Sequence, residues 1–137
     1  MSRLLLTWSL AMAVLLSVAC GGGTPTAPGT AGATVTLAVG QTIAVPDTSL
    51  SLRFAAVTSD SRCPADVVCI QLGEAVVALD ALAAGGTSRF ELSTTGSARV
   101  AQVGGYRIEL SSLVPERRAR LPIDPGDYRA TVHVDTR

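Results

Sequence analysis

From Thr34 onward, apolar and polar residues trade places with a period of two. Val35, Leu37 and Val39 alternate with Thr34, Thr36 and Ala38, and Leu50, Leu52 and Phe54 alternate with Ser51, Arg53 and Ala55. The pattern returns as Phe90 and Leu92 against Arg89 and Glu91, and as Tyr106, Ile108 and Leu110 against Arg107 and Glu109. It returns once more as Tyr128, Ala130, Val132 and Val134 against Arg129, Thr131, His133 and Asp135. Successive side chains of a strand point to opposite faces, so each run predicts a strand buried on one side. Gly40-Gln41, Pro46-Asp47, Gly85-Gly86, Thr95-Gly96 and Gly104-Gly105 interrupt the runs at short intervals. That spacing predicts an all-β fold, a single antiparallel β-sandwich of about 7–8 strands. Residues 74–84 (EAVVALDALAA) are rich in helix formers but carry no amphipathic stripe. Ala75, Val77, Leu79 and Ala81 fall on one strand face, and this segment too is predicted as a strand.

The first 33 residues break the pattern. Residues 1–19 carry one charge, Arg3, followed by an uncharged apolar run that ends in small residues, the plan of a secretory signal peptide. The run is too short to make a retained transmembrane helix the first choice. Its junction, residues 15–22 (LLSVACGG), resembles a bacterial lipobox, in which the cysteine becomes the first mature residue and carries an acyl lipid such as palmitate. Ser17 stands where a leucine is more usual, and Ser17-Val18-Ala19 also suits ordinary cleavage. An ordinary secreted product would, however, be left with an unpaired thiol at Cys20 in an oxidising space. Residues 21–33 (GGGTPTAPGTAGA) have neither charge nor a large apolar side chain, the composition of a flexible tether with a reach of roughly 20 Å. The expected organisation is a signal peptide over 1–19, a lipidated Cys20 and tether over 20–33, and one domain over 34–137. The expected location is the cell envelope, with the lipid at Cys20 in a bacterial membrane and the domain outside the cytoplasm.

With Cys20 assigned to lipid, Cys63 and Cys69 remain as a pair in a compartment where disulfides persist. A bridge over so short a loop contributes about 2 to 2.5 kcal/mol by chain entropy. Other uses of these thiols fit poorly. A dithiol redox site favours Cys-x-x-Cys, and five residues intervene here. A structural zinc ion takes four ligands, and this chain offers two free cysteines and the lone His133. No metal and no cofactor is expected.

Catalysis finds little footing. There is no G-x-S-x-G elbow, and one imidazole would have to serve any triad. Asp60, Asp66 and Glu74 offer carboxylates near a turn, where short acidic residues most often cap the backbone. The chain is expected not to be an enzyme. Nucleic acid is excluded as a partner on charge: eleven Arg and eleven Asp or Glu balance, and lysine is absent, so the electrostatic attraction that drives phosphate binding is missing. Arg117, Arg118 and Arg120 form a small basic cluster beside Glu116, readable as a solvated loop or as a contact for anionic lipid or polymer.

Near the end, Asp124, Gly126 and Tyr128 stand at a D-x-G-x-Y spacing that resembles the tyrosine corner of immunoglobulin-like Greek keys. The resemblance implies a phenol folded back to an upstream backbone group and a Greek-key order of strands. The alternative is a Pro-Gly turn ahead of a strand. Residues 60–77 (DSRCPADVVCIQLGEAVV) resemble a family of small bacterial secreted proteins and lipoproteins with an Asp-Ser-Arg-Cys-Pro loop, a second cysteine, then a glycine and a strand. Asp60, Ser61, Arg62, Cys63, Pro64, Cys69 and Gly73 fit that pattern, and Gln71 departs from it where an aromatic residue often stands. The resemblance implies the sandwich and the disulfide and leaves activity open.

Asp60, Ser61, Arg62 and Pro64 are thus the candidate interaction loop, braced by the disulfide, while Gly73, Asp124, Gly126 and Tyr128 are candidates for specifying the fold. The expected role is a monomeric, noncatalytic binding module, meeting an envelope protein or polymer. The alternative is a protease inhibitor that offers Arg62 to a trypsin-like pocket. A partly buried, structural Arg62 is the favoured reading of that residue, because Ser61 and Pro64 add local bonding and stiffness but no aromatic anchor.

Overall fold

In the computed structural model, which describes residues 32–136, the alternating runs are strands. The expected signal segment, Cys20 and the expected tether as far as residue 31 lie outside the described residues, as does residue 137. Eight strands are described: β1 (Ala33–Ala38), β2 (Thr42–Ala44), β3 (Ser51–Asp60), β4 (Ala75–Ala83), β5 (Gly86–Ser93), β6 (Val100–Val103), β7 (Tyr106–Val114) and β8 (Arg129–Thr136). Residues 74–84 hold a strand, as their one-sided apolar positions predict, despite their helix-forming composition.

The strands make two four-stranded antiparallel sheets, in the orders β1-β8-β7-β6 and β2-β3-β4-β5. Every pair of hydrogen-bonded strands is consecutive in sequence except β1 and β8. The chain therefore runs as a meander that passes from one sheet to the other after β1 and again after β5. The expected all-β antiparallel sandwich is thus present, and β1 is brought beside β8 only by the long path through the other sheet. Two-residue turns join β4 to β5 and β6 to β7, whereas the longer connections over residues 61–74 and 115–128 join β3 to β4 and β7 to β8.

Side chains from both inner faces fill the space between the sheets. Leu37, Leu52, Phe54, Val77, Leu79, Leu92, Ile108, Leu110 and Val132 are all fully enclosed there. Strict alternation fails at two bulges in β3 and one in β7, where the register shifts between Phe54 and Ala56, Val57 and Ser59, and Leu110 and Ser112.

Register also fixes which ends meet. Ala33 pairs with Val134 and Tyr106 with Thr136, whereas Ala38 and Val114 both pair with Arg129. At that second end, β3 finishes at Asp60 opposite Ala75. The β3–β4 connection and the crossover from β7 to β8 thus share one end of the sandwich, and β1 begins at the other.

Candidate functional site

The β3–β4 ladder continues one step past its last strand residue. Ser61 donates from its backbone N–H and its hydroxyl to the Glu74 carbonyl, at 2.7 and 2.9 Å, and its Oγ accepts from the Glu74 N–H at 3.1 Å. This clamp closes the neck of the loop over residues 62–73. It also brings Gly73 so close to Ser61 that an added Cβ would lie 1.6 Å from the Ser61 carbonyl oxygen. Gly73 is required by this close approach of two backbones.

Beyond the neck, Arg62 turns inward. Its Nε and Nη2 donate to the two carboxylate oxygens of Asp60 at 2.9 and 2.7 Å, a two-pronged pairing of a planar fork with a carboxylate. Its Nη1 donates to the Leu113 carbonyl at 2.7 Å and Nη2 to the Pro115 carbonyl at 2.9 Å. The Arg62 side chain is 16% exposed and that of Asp60 8%. Arg62 therefore ties the β3–β4 loop to the end of β7, in agreement with a structural role for the residue.

Tyr128 completes the knot. Its phenol donates to Asp60 Oδ2 at 2.9 Å, where the tyrosine-corner likeness implied a backbone acceptor. The carboxylate wins because it is buried, charged and already held in place by Arg62, and a charge-assisted bond is roughly twice as strong as a neutral one. Asp124 and Gly126 contribute differently. The Asp127 N–H donates to the Asp124 carbonyl at 2.9 Å in a single turn of 3-10 helix, without a bond from the Asp124 side chain. A Cβ at Gly126 would meet open space, so glycine is not demanded there by packing.

Burial alone would raise the Asp60 carboxyl, but the bonds from the Arg62 side chain, Tyr128 and the Arg62 N–H, with the guanidinium charge, hold it below the ordinary 3.8. Burial, followed by the bond to Asp60, pushes the Tyr128 phenol up. Asp80 forms a second such centre. It lies on the outer face of β4, with Arg89 Nε at 2.7 Å and Arg53 Nη1 at 3.4 Å on the strands either side, and the bond from Arg89 does most to lower its carboxyl. Arg53, Asp80 and Arg89 stand directly opposite one another in register.

A carboxylate whose folded value lies below its unfolded one binds fewer protons in the folded state. Its contribution is present above the unfolded value, near 3.8 for both residues, and lost as pH falls through the folded value. The unfolding midpoint in urea is expected to vary little between pH 7 and about pH 5 on account of these two groups and to fall on further acidification. A smaller acid loss is expected for Asp80→Asn than for the wild type. Equal acid slopes for the two proteins would remove Asp80 from the explanation.

Cys63 and Cys69 are joined, with Cα atoms 6.0 Å apart, inside the normal span of such a bridge. Pro64 is half-buried beside the bridge, and its carbonyl accepts from the Val67 N–H at 3.2 Å in a tight turn. The loop is also laced to the β7–β8 crossover. Ala65 N–H donates to the Arg117 carbonyl and Ala119 N–H to Asp66 Oδ1, each at 2.8 Å, while Arg117 Nη1 donates to the Arg62 carbonyl at 2.9 Å. A sequence-based reading does not anticipate the outcome at the tip. Val68 is 101% exposed, Ile70 105% and Leu72 87%, with Val67 also exposed. Four apolar residues within six positions would normally be assigned to a core, and here Val67 and Val68 stand in solvent inside the ring closed by the disulfide, and Ile70 and Leu72 between Cys69 and the Ser61–Glu74 clamp.

His133 lies half-buried on the outer face of β8, its Nδ1 2.9 Å from Thr34 Oγ1 and its Nε2 3.1 Å from Asp135 Oδ1. Among the described residues no group of three or more His, Cys, Asp or Glu comes together as a metal site. No protein-family model matches the chain, and no curated protein or solved structure matches it either.

Proposed function

We propose that the chain is a noncatalytic binding module, tethered to a bacterial membrane by a lipid on Cys20, which meets a protein partner in the cell envelope through the tip of its disulfide loop. The observation that carries this reading is the set of Val67, Val68, Ile70 and Leu72, exposed together on a loop whose base is fixed by Arg62 and whose ring is closed by Cys63 and Cys69. Exposed apolar side chains grouped in one place mark interaction surfaces, and a loop held rigid loses little entropy on binding. Apolar anchors of this kind suit a protein surface better than a sugar polymer. Placement supports the tethered arrangement. The described chain begins at the end of the sandwich opposite the loop, so a tether leaving from Gly32 leaves the tip free to face away from its attachment.

The protease-inhibitor alternative finds no support, because an inhibitor must offer its specificity residue to solvent. All three nitrogens of the Arg62 guanidinium are engaged by Asp60, Leu113 and Pro115.

Crosslinking in intact cells tests the proposal. Val68→Ser with Ile70→Ser is expected to lower partner recovery to the extent of two lost anchors, about 2 kcal/mol or more, while exposed sites leave the unfolding midpoint within about 0.5 kcal/mol of wild type. Cys20→Ala is expected to move the protein out of the membrane fraction. Undiminished capture by the double variant would remove the loop tip from the function, and retention of processed Cys20→Ala protein on membranes would remove the lipid.

A further inference from the structure

Beside the disulfide loop lies a cleft of about 380 Å³ that the preceding reading does not use. Strand lengths explain why it exists. β6 has four residues and pairs with β7 only as far as Glu109, so the edge of β7 from Leu110 to Val114 has no strand beside it. Arginines cover the carbonyls that this leaves bare. Arg99 donates from Nε and Nη2 to the Leu110 carbonyl and from Nη2 to the Ser111 carbonyl, which the bulge in β7 turns to the same side. Arg62 covers Leu113 in the same way.

The charges in this cleft do not cancel. Arg62 is neutralised by Asp60, but among the described residues neither Arg99 nor Arg117 has a carboxylate partner within salt-bridge distance. Arg99 keeps Nη1 free of these bonds, and Arg117 keeps Nε and Nη2. Ser111 and Ser112 line the same space, and Glu116 is the acidic residue on its rim. Two unneutralised guanidiniums against one carboxylate leave a single positive charge. We infer that the cleft is a carboxylate-binding site, in which Arg99 and Arg117 receive one acidic side chain of the partner that meets the loop tip.

The chemistry favours a carboxylate over a phosphoryl group. A guanidinium fork accepts either, but a doubly charged phosphoryl group would leave an uncompensated negative charge facing Glu116. A balanced net charge over the whole chain also gives an extended polyanion little to hold. The volume is at the small end of ligand clefts, enough for one acidic side chain and its neighbours. The source of the carboxylate rests on the loop-tip reading; the site itself does not.

The test uses the full chain, 15N-labelled in a nonionic detergent and titrated with N-acetyl-glutamate amide at fixed ionic strength. Saturable shifts are expected at the Ser111 and Ser112 amides and at the Nε–H groups of Arg99 and Arg117. The uncharged N-acetyl-glutamine amide, and the Arg117→Gln variant with the charged probe, are each expected to bind roughly tenfold more weakly, the worth of a lost charge-assisted bond. Glu116→Gln, at an exposed position with no structural bond to lose, is expected to bind the charged probe a few-fold more tightly. Equal binding of the two probes, or no effect of both Arg117→Gln and Glu116→Gln, would overturn the site. Inorganic phosphate saturating the cleft at lower concentration than the glutamate probe would overturn the carboxylate assignment. Probe binding that survives in Val68→Ser/Ile70→Ser, whose partner capture is also intact, would retain the cleft while rejecting the loop tip.

Discussion

Arg62→Ala is expected to lower the stability of the domain by about 3 to 5 kcal/mol, the cost of removing one partner from a buried ion pair. The size follows from what is stranded. Asp60 sits at 8% exposure and loses two of its four donors, Arg62 Nε and Nη2, keeping the Arg62 N–H and the Tyr128 phenol. The carbonyls of Leu113 and Pro115 lose their donor at the same time. An exposed pair would behave otherwise, since surface ion pairs are worth about 0 to 1 kcal/mol. Urea unfolding measures the difference directly. Arg62→Ala should move the midpoint down with little change in slope, and Arg62→Ala combined with Asp60→Asn should recover part of the loss, because the stranded charge is gone. A midpoint unchanged by Arg62→Ala would mean that the guanidinium is spare, and the structural role assigned to it would fall.

The contrast between Arg62 and the strands shows where local pattern stops being informative. Period two is written within each run, so Val35 and Leu37, or Ile108 and Leu110, announce their faces without reference to any other segment. β2 and β6, with three and four residues, are too short to display a period and escape such a reading. Strand order escapes it as well. The spacing of Asp124, Gly126 and Tyr128 does not supply that order, because the Tyr128 phenol bonded to the carboxylate of Asp60 says only that the end of β3 meets the entry to β8, not which strands pair.

Side-chain partners divide along the same line. Asp60 and Arg62 are two residues apart, and their pairing is legible in the chain. Leu113, Pro115 and Tyr128 come from segments more than fifty residues away and meet Arg62 or Asp60 only after the sheets have packed. The Arg53, Asp80 and Arg89 row needs the register of three strands before it can be seen. The apolar tip was concealed for the opposite reason. Val67, Val68, Ile70 and Leu72 look like core residues, and only the closed ring and the Ser61–Glu74 clamp show that they have no core to enter.

Gly73→Ala tests that clamp, and the expected loss is about 3 kcal/mol or more, at or above the upper end of what overpacking costs. A methyl group here meets backbone rather than the end of a flexible side chain, with the Ser61 carbonyl oxygen 1.6 Å from the ideal Cβ position and its carbonyl carbon 2.5 Å away. Relief requires Ser61 and Glu74 to separate, which breaks the three bonds that close the neck and pulls on Arg62 one residue further along. The loss should therefore be accompanied by a weaker grip on the whole loop, read as faster hydrogen exchange at the Ser61 and Glu74 amides than at Leu79 in the centre of β4. Gly126→Ala provides the matched control. Open space surrounds that position and its backbone is not left-handed, so the substitution is expected to be neutral or to stabilise by up to about 1 kcal/mol through the unfolded chain. Similar midpoints for the two alanine variants would show that the close approach at Gly73 relaxes freely, and the clamp would then lose its part in holding the apolar tip in solvent.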